Sequence, residues 1–150
     1  MKKEYIAHIN EYTGAIQTVK QHSAHTAALC REYAIPALKD FLYVVGLLHD
    51  IGKYTDEFQK RIRGAQIRVE HSTCGAVAAG ELFPNVMGLM MQFCIAGHHS
   101  GLPDAGLPRD AAELGTLYGR LGREFSDYSE YKGELEIPPV DFSAWAEFVV

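Results

Sequence analysis

Two apolar runs in this chain end on side chains that bind metals. Phe41, Leu42, Val44, Val45, Leu47 and Leu48 lead into His49-Asp50, and Met87, Leu89, Met90, Phe93 and Ile95 lead past Gly97 into His98-His99. Both runs have helical spacing. Imidazole and carboxylate groups set at the ends of buried helices need compensation, and a shared metal ion is one way to provide it. With His22, His25 and His71, the pattern takes in all of the chain's 7 histidines except His8. Neutral imidazole combined with carboxylate suits first-row divalent metals, and no thiolate lies near enough in sequence to suggest a structural zinc finger.

Size and charge narrow the setting. A chain of 150 residues with 47% hydrophobic content can bury one ordinary core, so a single domain over residues 1–150 is expected. Cys30, Cys74 and Cys94 are widely spaced and fall within helical apolar patterns, as reduced core thiols of a cytoplasmic protein do. No apolar run has the roughly 18 to 20 residues of a membrane-spanning helix, so no membrane association is expected. A net charge of -5 argues against diffuse attraction of nucleic acid, so any polyanion must be held locally.

Almost every segment has helical period, and an all-α bundle is the expected fold. A first helix is read from Ile16 to Ala34, with Ile16, Val19, Ala27, Cys30 and Tyr33 near one face and Pro36 beyond its end. The run from Phe41 is apolar nearly all round, as in a central helix, with His49 and Asp50 in its last turn. Thr55 then reads as the N-cap of a short charged helix to Ile62 with outward-pointing basic residues. A small-residue helix over Ser72–Phe83 follows, with His71 at its start. Another helix ends at Gly97, ahead of a turn-rich loop from Ser100 to Pro108. Leu114, Leu117, Tyr118, Leu121 and Phe125 mark a further amphipathic helix, and Ser126–Pro139 reads as irregular. Phe142, Trp145, Phe148 and Val149 have helical spacing that stops without a terminating signal, so the domain is expected to be incomplete at its C-terminus.

The chemistry depends on these helix ends converging. An aspartate between two cations can give one oxygen to each, and a pair of metals can then clamp the attacking and leaving oxygens of a phosphoester. Asp50 is the natural bridge. His98 and His99 would diverge by about 100 degrees on a continuous helix, so both can serve one metal only if the helix ends there.

The ordered blocks Leu47-Leu48-His49-Asp50-Ile51-Gly52-Lys53, His71-Ser72-Thr73 and Gly97-His98-His99-Ser100-Gly101-Leu102-Pro103-Asp104, with His22 upstream, resemble the HD nuclease domain of the CRISPR-associated type I helicase-nuclease. This is a branch of the HD phosphohydrolase superfamily. The resemblance implies a metal-dependent nuclease acting on single-stranded DNA, with a helicase portion in cis or in trans and an RNA-guided surveillance complex as partners. It implies two divalent ions, among Mn, Ni, Co, Fe or Mg. His22 and His49 would hold one, His71, His98 and His99 the other, and Asp50 would bridge them. Lys53 would lie beside the scissile phosphate, with Lys60 and Arg61 helping to bind substrate. The family closes its first site with a late aspartate. Asp127 and Asp141 are available here but lack the expected context.

Alternatives attach to several residues. His22 and His25 could both face the core at i and i+3; the motif favours His22 as ligand, with His25 as its support. Asp50 could simply pair with Lys53. Lys53, Lys60, Arg61, Arg63 and Arg68 could be a solvated face, Met87, Met90 and Met91 read as core packing, and Tyr43, Tyr54 and Phe58 could either stack bases or pack. His8 has no supporting context and reads as solvent-exposed. The rival readings of the whole are an HD phosphohydrolase of a nucleotide or small phosphoester, and a catalytically impaired helical module.

Overall fold

The computed structural model describes residues 3–143 and residue 145. Among them the architecture is mostly helical, with one small sheet. Strands β1 (Ile6–Ile9) and β2 (Ile16–Thr18) pair antiparallel, and the register is irregular between Ile6 and His8. Asn10 builds the turn between them, its side-chain oxygen accepting from the backbone N–H groups of Tyr12 and Thr13. Gly14 follows at φ +70°, where a side chain would be strained.

This hairpin corrects the expected start of the first helix. Ile16 lies in β2 and is half exposed, and helix α1 runs Val19–Tyr33. The physical reason is a capping box. Thr18 Oγ1 accepts from the Gln21 backbone N–H while Gln21 Oε1 accepts from that of Thr18, fixing the helix start. Val19 and Ala27 face the core, whereas Tyr33 at the far end is exposed.

Helix α2 (Lys39–Leu48) is the central helix, with Phe41, Val44, Leu47 and Leu48 all buried. Burial of each stabilises the fold by roughly 1.5–3 kcal/mol. Gly46 lets α1 and α2 approach closely, since a Cβ there would lie 2.6 Å from Ala27 Cα. The helix ends at Leu48, so His49 is its cap and Asp50 lies just beyond, before a 3-10 turn over Ile51–Tyr54. Thr55 caps α3 (Asp56–Ile62), as expected, by accepting from the Phe58 N–H.

Helices α4 (Ser72–Leu82) and α5 (Val86–Gly97) pack as a pair, joined by a short turn in which Asn85 caps α5. Two short helices complete the set, α6 (Leu117–Leu121) and α7 (Tyr131–Glu134). The longer helix expected through Leu114 and Phe125 is thus only α6. Thr116 caps its start, Gly122 ends it, and Leu114 is left exposed. Likewise Ser126–Pro139 is not wholly irregular, because α7 lies in it; Tyr54 Oη donates to Glu134 at 2.9 Å.

Two smaller expectations also change. Cys74 is a buried thiol, but Cys94 is exposed, and Met90 is partly exposed while Met87 and Met91 pack inside. Trp145 packs tilted on Phe41 at 5.3 Å and donates to Ala37 O. The expected continuation through Phe148 and Val149 lies outside the described residues. No described helix is long and apolar enough to cross a membrane.

Candidate metal centre

Asp50 is 3% exposed and stands where the ends of α2, α4 and α5 meet the first turn of α1. Its two oxygens face different partners. Oδ2 lies 2.9 Å from His22 Nε2, 3.3 Å from His49 Nε2 and 2.8 Å from Lys53 Nζ. Oδ1 lies 3.3 Å from both His71 Nε2 and His98 Nε2. His99 joins this second side through His71, their Nε2 atoms 2.9 Å apart. The structure thus brings His22, His49, His71, His98 and His99 together around the carboxylate that the sequence picks out as the bridge.

Local structure dictates the arrangement. Because α5 stops at Gly97, His98 and His99 are not spread around a continuing helix, and their rings lie 4.0 Å apart. His71 precedes α4 and is held against Asp50 by Gly52, where any Cβ would run into the His71 backbone carbonyl. Two rings are also fixed in tautomer. His49 Nδ1 donates to Gly46 O and His98 Nδ1 to Ile95 O, both at 2.7 Å. In the neutral ring that leaves Nε2 as a lone pair aimed at the cluster.

These features fit a divalent cation. Asp50 Oδ1 is buried and accepts no hydrogen bond although two imidazole nitrogens face it. Facing nitrogens such as His71 Nε2 and His99 Nε2 share at most one proton. Donor atoms bound about 2.0–2.1 Å from one cation sit about 2.9–3.4 Å from one another, depending on coordination number. The contacts to Oδ1 and between His71 and His99 fall in that range. Donor atoms of Asp50, His71, His98 and His99 lie within 4.8 Å of one another, as do those of His8, His22 and Asp50.

The charge balance agrees with this reading. Burial opposes ionisation of Asp50, but the ring nitrogens of His22, His49, His71 and His98 gathered on its two oxygens outweigh burial and hold the carboxyl far below the usual range. Burial would likewise lower His98, yet the Asp50 carboxylate beside it raises it above the ordinary imidazole value. His99 is lowered by burial and by the neighbouring His98 and His71, and His8 by burial, Lys53 and His22.

Other expected site residues part company. Lys53 is buried in an ion pair with Asp50, so the simple pairing and the site position coexist. Arg61 lines the cavity beside the cluster, while Lys60, its neighbour about 100 degrees around α3, does not. Arg63 is committed to Gln59 and to Glu4 O. His25 is exposed and takes no place in the cluster. Asp127 and Asp141 are exposed and each accepts from a backbone N–H two residues on, so neither closes the site. Tyr54 and Phe58 are buried and Tyr43 lies beneath the Arg31 guanidinium, so these rings pack rather than stack on bases.

Two residues escaped the sequence reading, and a third, His8, is exposed as expected yet reaches the cluster. His8 Nε2 lies 3.2 Å from Lys53 Nζ, and its ring meets that of His22 edge-on at 4.6 Å. Glu70 Oε1 accepts from Ser72 Oγ and the Thr73 N–H, capping the start of α4 beside His71. Buried Arg120 donates to Ser72 and Thr73 hydroxyls from α6, tying that helix to the same corner.

Two solvent-open cavities meet at His71 and His99. One, of about 340 Å³, is lined by His8, Lys53, Phe58 and Arg61; the other, of about 400 Å³, by Glu70, Ser72, Ser100, Arg120 and Arg123. A slightly larger cavity beside Phe83 and Leu121 holds none of the cluster residues. No curated protein matches the chain. The HD domain profile matches residues 19–137, a span containing His22, His49-Asp50, His71 and His98-His99, and the chain belongs to this family of metal-dependent phosphohydrolases.

Proposed function

We propose that the chain hydrolyses phosphodiester bonds of single-stranded DNA, using two divalent cations that share Asp50. One observation carries this reading: the carboxylate that faces two sets of imidazoles lies behind His71 and His99, and these two rings line two solvent-open cavities at once, one on either side. A polymer needs a path that continues past the scissile phosphate in both directions. A small phosphoester is better served by one enclosed pocket.

In this reading His71, His98 and His99 would hold one cation and His22 and His49 the other, with Asp50 shared between them. When bound, the cations supply Lewis-acid stabilisation of the phosphoryl oxygens and acidify the attacking water. The chain's own residues prepare that chemistry. His49 and His98 present Nε2 because their Nδ1–H groups are tied to backbone carbonyls. Phe58 packs edge-on to His71 at 5.2 Å and shields its inner face. Lys53 lines the groove and can place its ammonium against a phosphate oxygen, and Arg61 stands at the rim. A helicase portion that feeds single strand into the groove, and an RNA-guided surveillance complex that selects the target, are the partners this reading takes from the CRISPR resemblance.

The test is a cleavage assay with Mn²⁺ or Ni²⁺ on circular single-stranded DNA, duplex DNA and free nucleotides. Cleavage of the circle, lost by at least about a thousandfold in Asp50→Ala with the helical circular dichroism spectrum unchanged, is the expected result. Hydrolysis of nucleotides with no cleavage of the circle would turn the reading to a small-molecule phosphohydrolase. Undiminished cleavage by Asp50→Ala would remove the shared-carboxylate mechanism.

A further inference from the structure

We infer that His8, on strand β1 and outside the span matched by the family, is a ligand of the cation on the Oδ2 side of Asp50. This rests on the two-cation reading above and names a residue that reading does not include.

The geometry begins with Lys53. Its ammonium sits between two acceptors, 2.8 Å from Asp50 Oδ2 and 3.2 Å from His8 Nε2. An ammonium can only donate, so His8 Nε2 faces it as a lone pair. A positive charge is therefore already held by an imidazole nitrogen and a carboxylate oxygen, beside His22 Nε2 at 2.9 Å from the same oxygen. His8, His22 and Asp50 each offer an atom within 4.8 Å of the other two, which is the ligand set a divalent cation takes when it replaces the ammonium.

The fold builds this placement. The register irregularity falls between Ile6 and His8, where a bulge re-aims a side chain. Ile6 and Ala7 are buried, and the Gln59 side chain clamps the strand to α3, accepting from Ile6 N–H and donating to Ile6 O. The His8 backbone is thus anchored on both sides of its strand while its ring is carried over α1 to His22. Displacing Lys53 leaves its side chain on the cavity it already lines with Arg61, where a substrate phosphate would lie.

Two measurements test the assignment on the full chain. In Ni²⁺ titration calorimetry the wild-type protein is expected to bind two equivalents, and both His8→Ala and His8→Gln are expected to weaken the second by about tenfold or more while leaving the first unchanged. Glutamine keeps an acceptor for Lys53 but is a poor partner for Ni²⁺, so wild-type affinity in His8→Gln would overturn ligation and make His8 a Lys53 acceptor only. In wild-type protein with ¹⁵N-labelled histidine, Zn²⁺ is expected to move the His8 Nε2 resonance with the second equivalent. An unmoved His8 resonance alongside two bound equivalents overturns this inference alone. A single bound equivalent with His8 unmoved overturns it together with the two-cation reading.

Discussion

The two sides of Asp50 are built from different materials. On the Oδ1 side stand His71, His98 and His99, carried on the ends of α4 and α5, and among the described residues no side-chain cation pairs with that oxygen except through these imidazoles. On the Oδ2 side stand His22, His49 and the Lys53 ammonium, with His8 beyond it. A cation on the first side fills a gap at an oxygen that accepts no hydrogen bond. A cation on the second must displace a charge already in place. The comparison teaches that symmetric chemistry around a shared carboxylate need not mean equal affinity, and the Oδ1 side is expected to fill first.

The largest test after loss of Asp50 itself is Gly52→Ala. The added methyl would strike the His71 backbone carbonyl, so the 3-10 turn and the start of α4 must separate. Overpacking of this kind costs about 1–3 kcal/mol. The damage falls on the Oδ1 side. Calorimetry should show the tighter equivalent weakened by about a hundredfold with the weaker one retained, and thermal unfolding should show the lost stability. Equal weakening of both would mean that the two sides are not independently built.

Lys53→Met attacks the other side with the opposite sign. Methionine keeps the length and apolar packing of the stem but removes the ammonium. Binding of the weaker equivalent should tighten by about tenfold, while the tighter one stays as it is and cleavage falls. If the weaker equivalent does not tighten, Lys53 is not the competitor and the asymmetry has another source.

The histidine ends and Asp50 were legible because each lies beside a long apolar run whose helical period is unambiguous, which placed the end of α5 at Gly97, although α2 ends at Leu48 and so leaves His49 and Asp50 beyond the last turn expected to hold them. His71 could be read from its place before a run of small residues. His8 was not legible. Its strand has four residues and its partner three, too short for alternation to stand out, and its arrival at His22 depends on how the hairpin folds over α1. Arg120 was hidden for a related reason. Its partners Ser72 and Thr73 lie nearly fifty positions away, and no local pattern marks such a link. The first helix was read too long because Ile16 fits a helical apolar face and a strand equally well. Only the reciprocal Thr18–Gln21 bonds decide its start.

Acidity should separate the two sides more gently. Burial would lower His98, but the adjacent Asp50 carboxylate raises its pKa above the ordinary value of 6.5. Protons therefore compete with a cation for His98 at higher pH than for His99, which is lowered by burial and by its histidine neighbours. Affinity of the tighter equivalent should fall several-fold as pH drops from about 8 to 6.5. For the cation-free fold the sign is reversed. His98 contributes its stability in full below the unfolded value and loses it as pH rises through the folded one, while His99 and His8, both lowered, act the other way, so the His98 share is the part of the apo melting difference between pH 6 and pH 8 that disappears in His98→Asn. A pH-independent first affinity would show that His98 is not a ligand of that cation.

The smallest expected effect concerns the groove rather than the cations. Arg123 lines the cavity on the Glu70 side but donates to the Ala112 and Leu114 carbonyls, and Arg120 is buried among hydroxyls. Their donors are already engaged. Arg61 is exposed at the rim of the cavity that holds His8 and Lys53. Strand affinity should therefore depend on Arg61 and little on Arg63, whose guanidinium is tied to Gln59 and Glu4 in the same short region. Arg61→Ala should weaken single-stranded DNA binding a few-fold and reduce the slope of log affinity against log salt by about 0.7, the value of one phosphate contact on a single strand. Arg63→Ala should leave that slope unchanged and lower thermal stability instead. The measurement is binding by fluorescence anisotropy with Asp50→Ala as background to prevent cleavage. An unchanged slope in the Arg61 variant would mean that the strand leaves the centre by the Glu70 cavity, reversing which side of the groove carries the polymer.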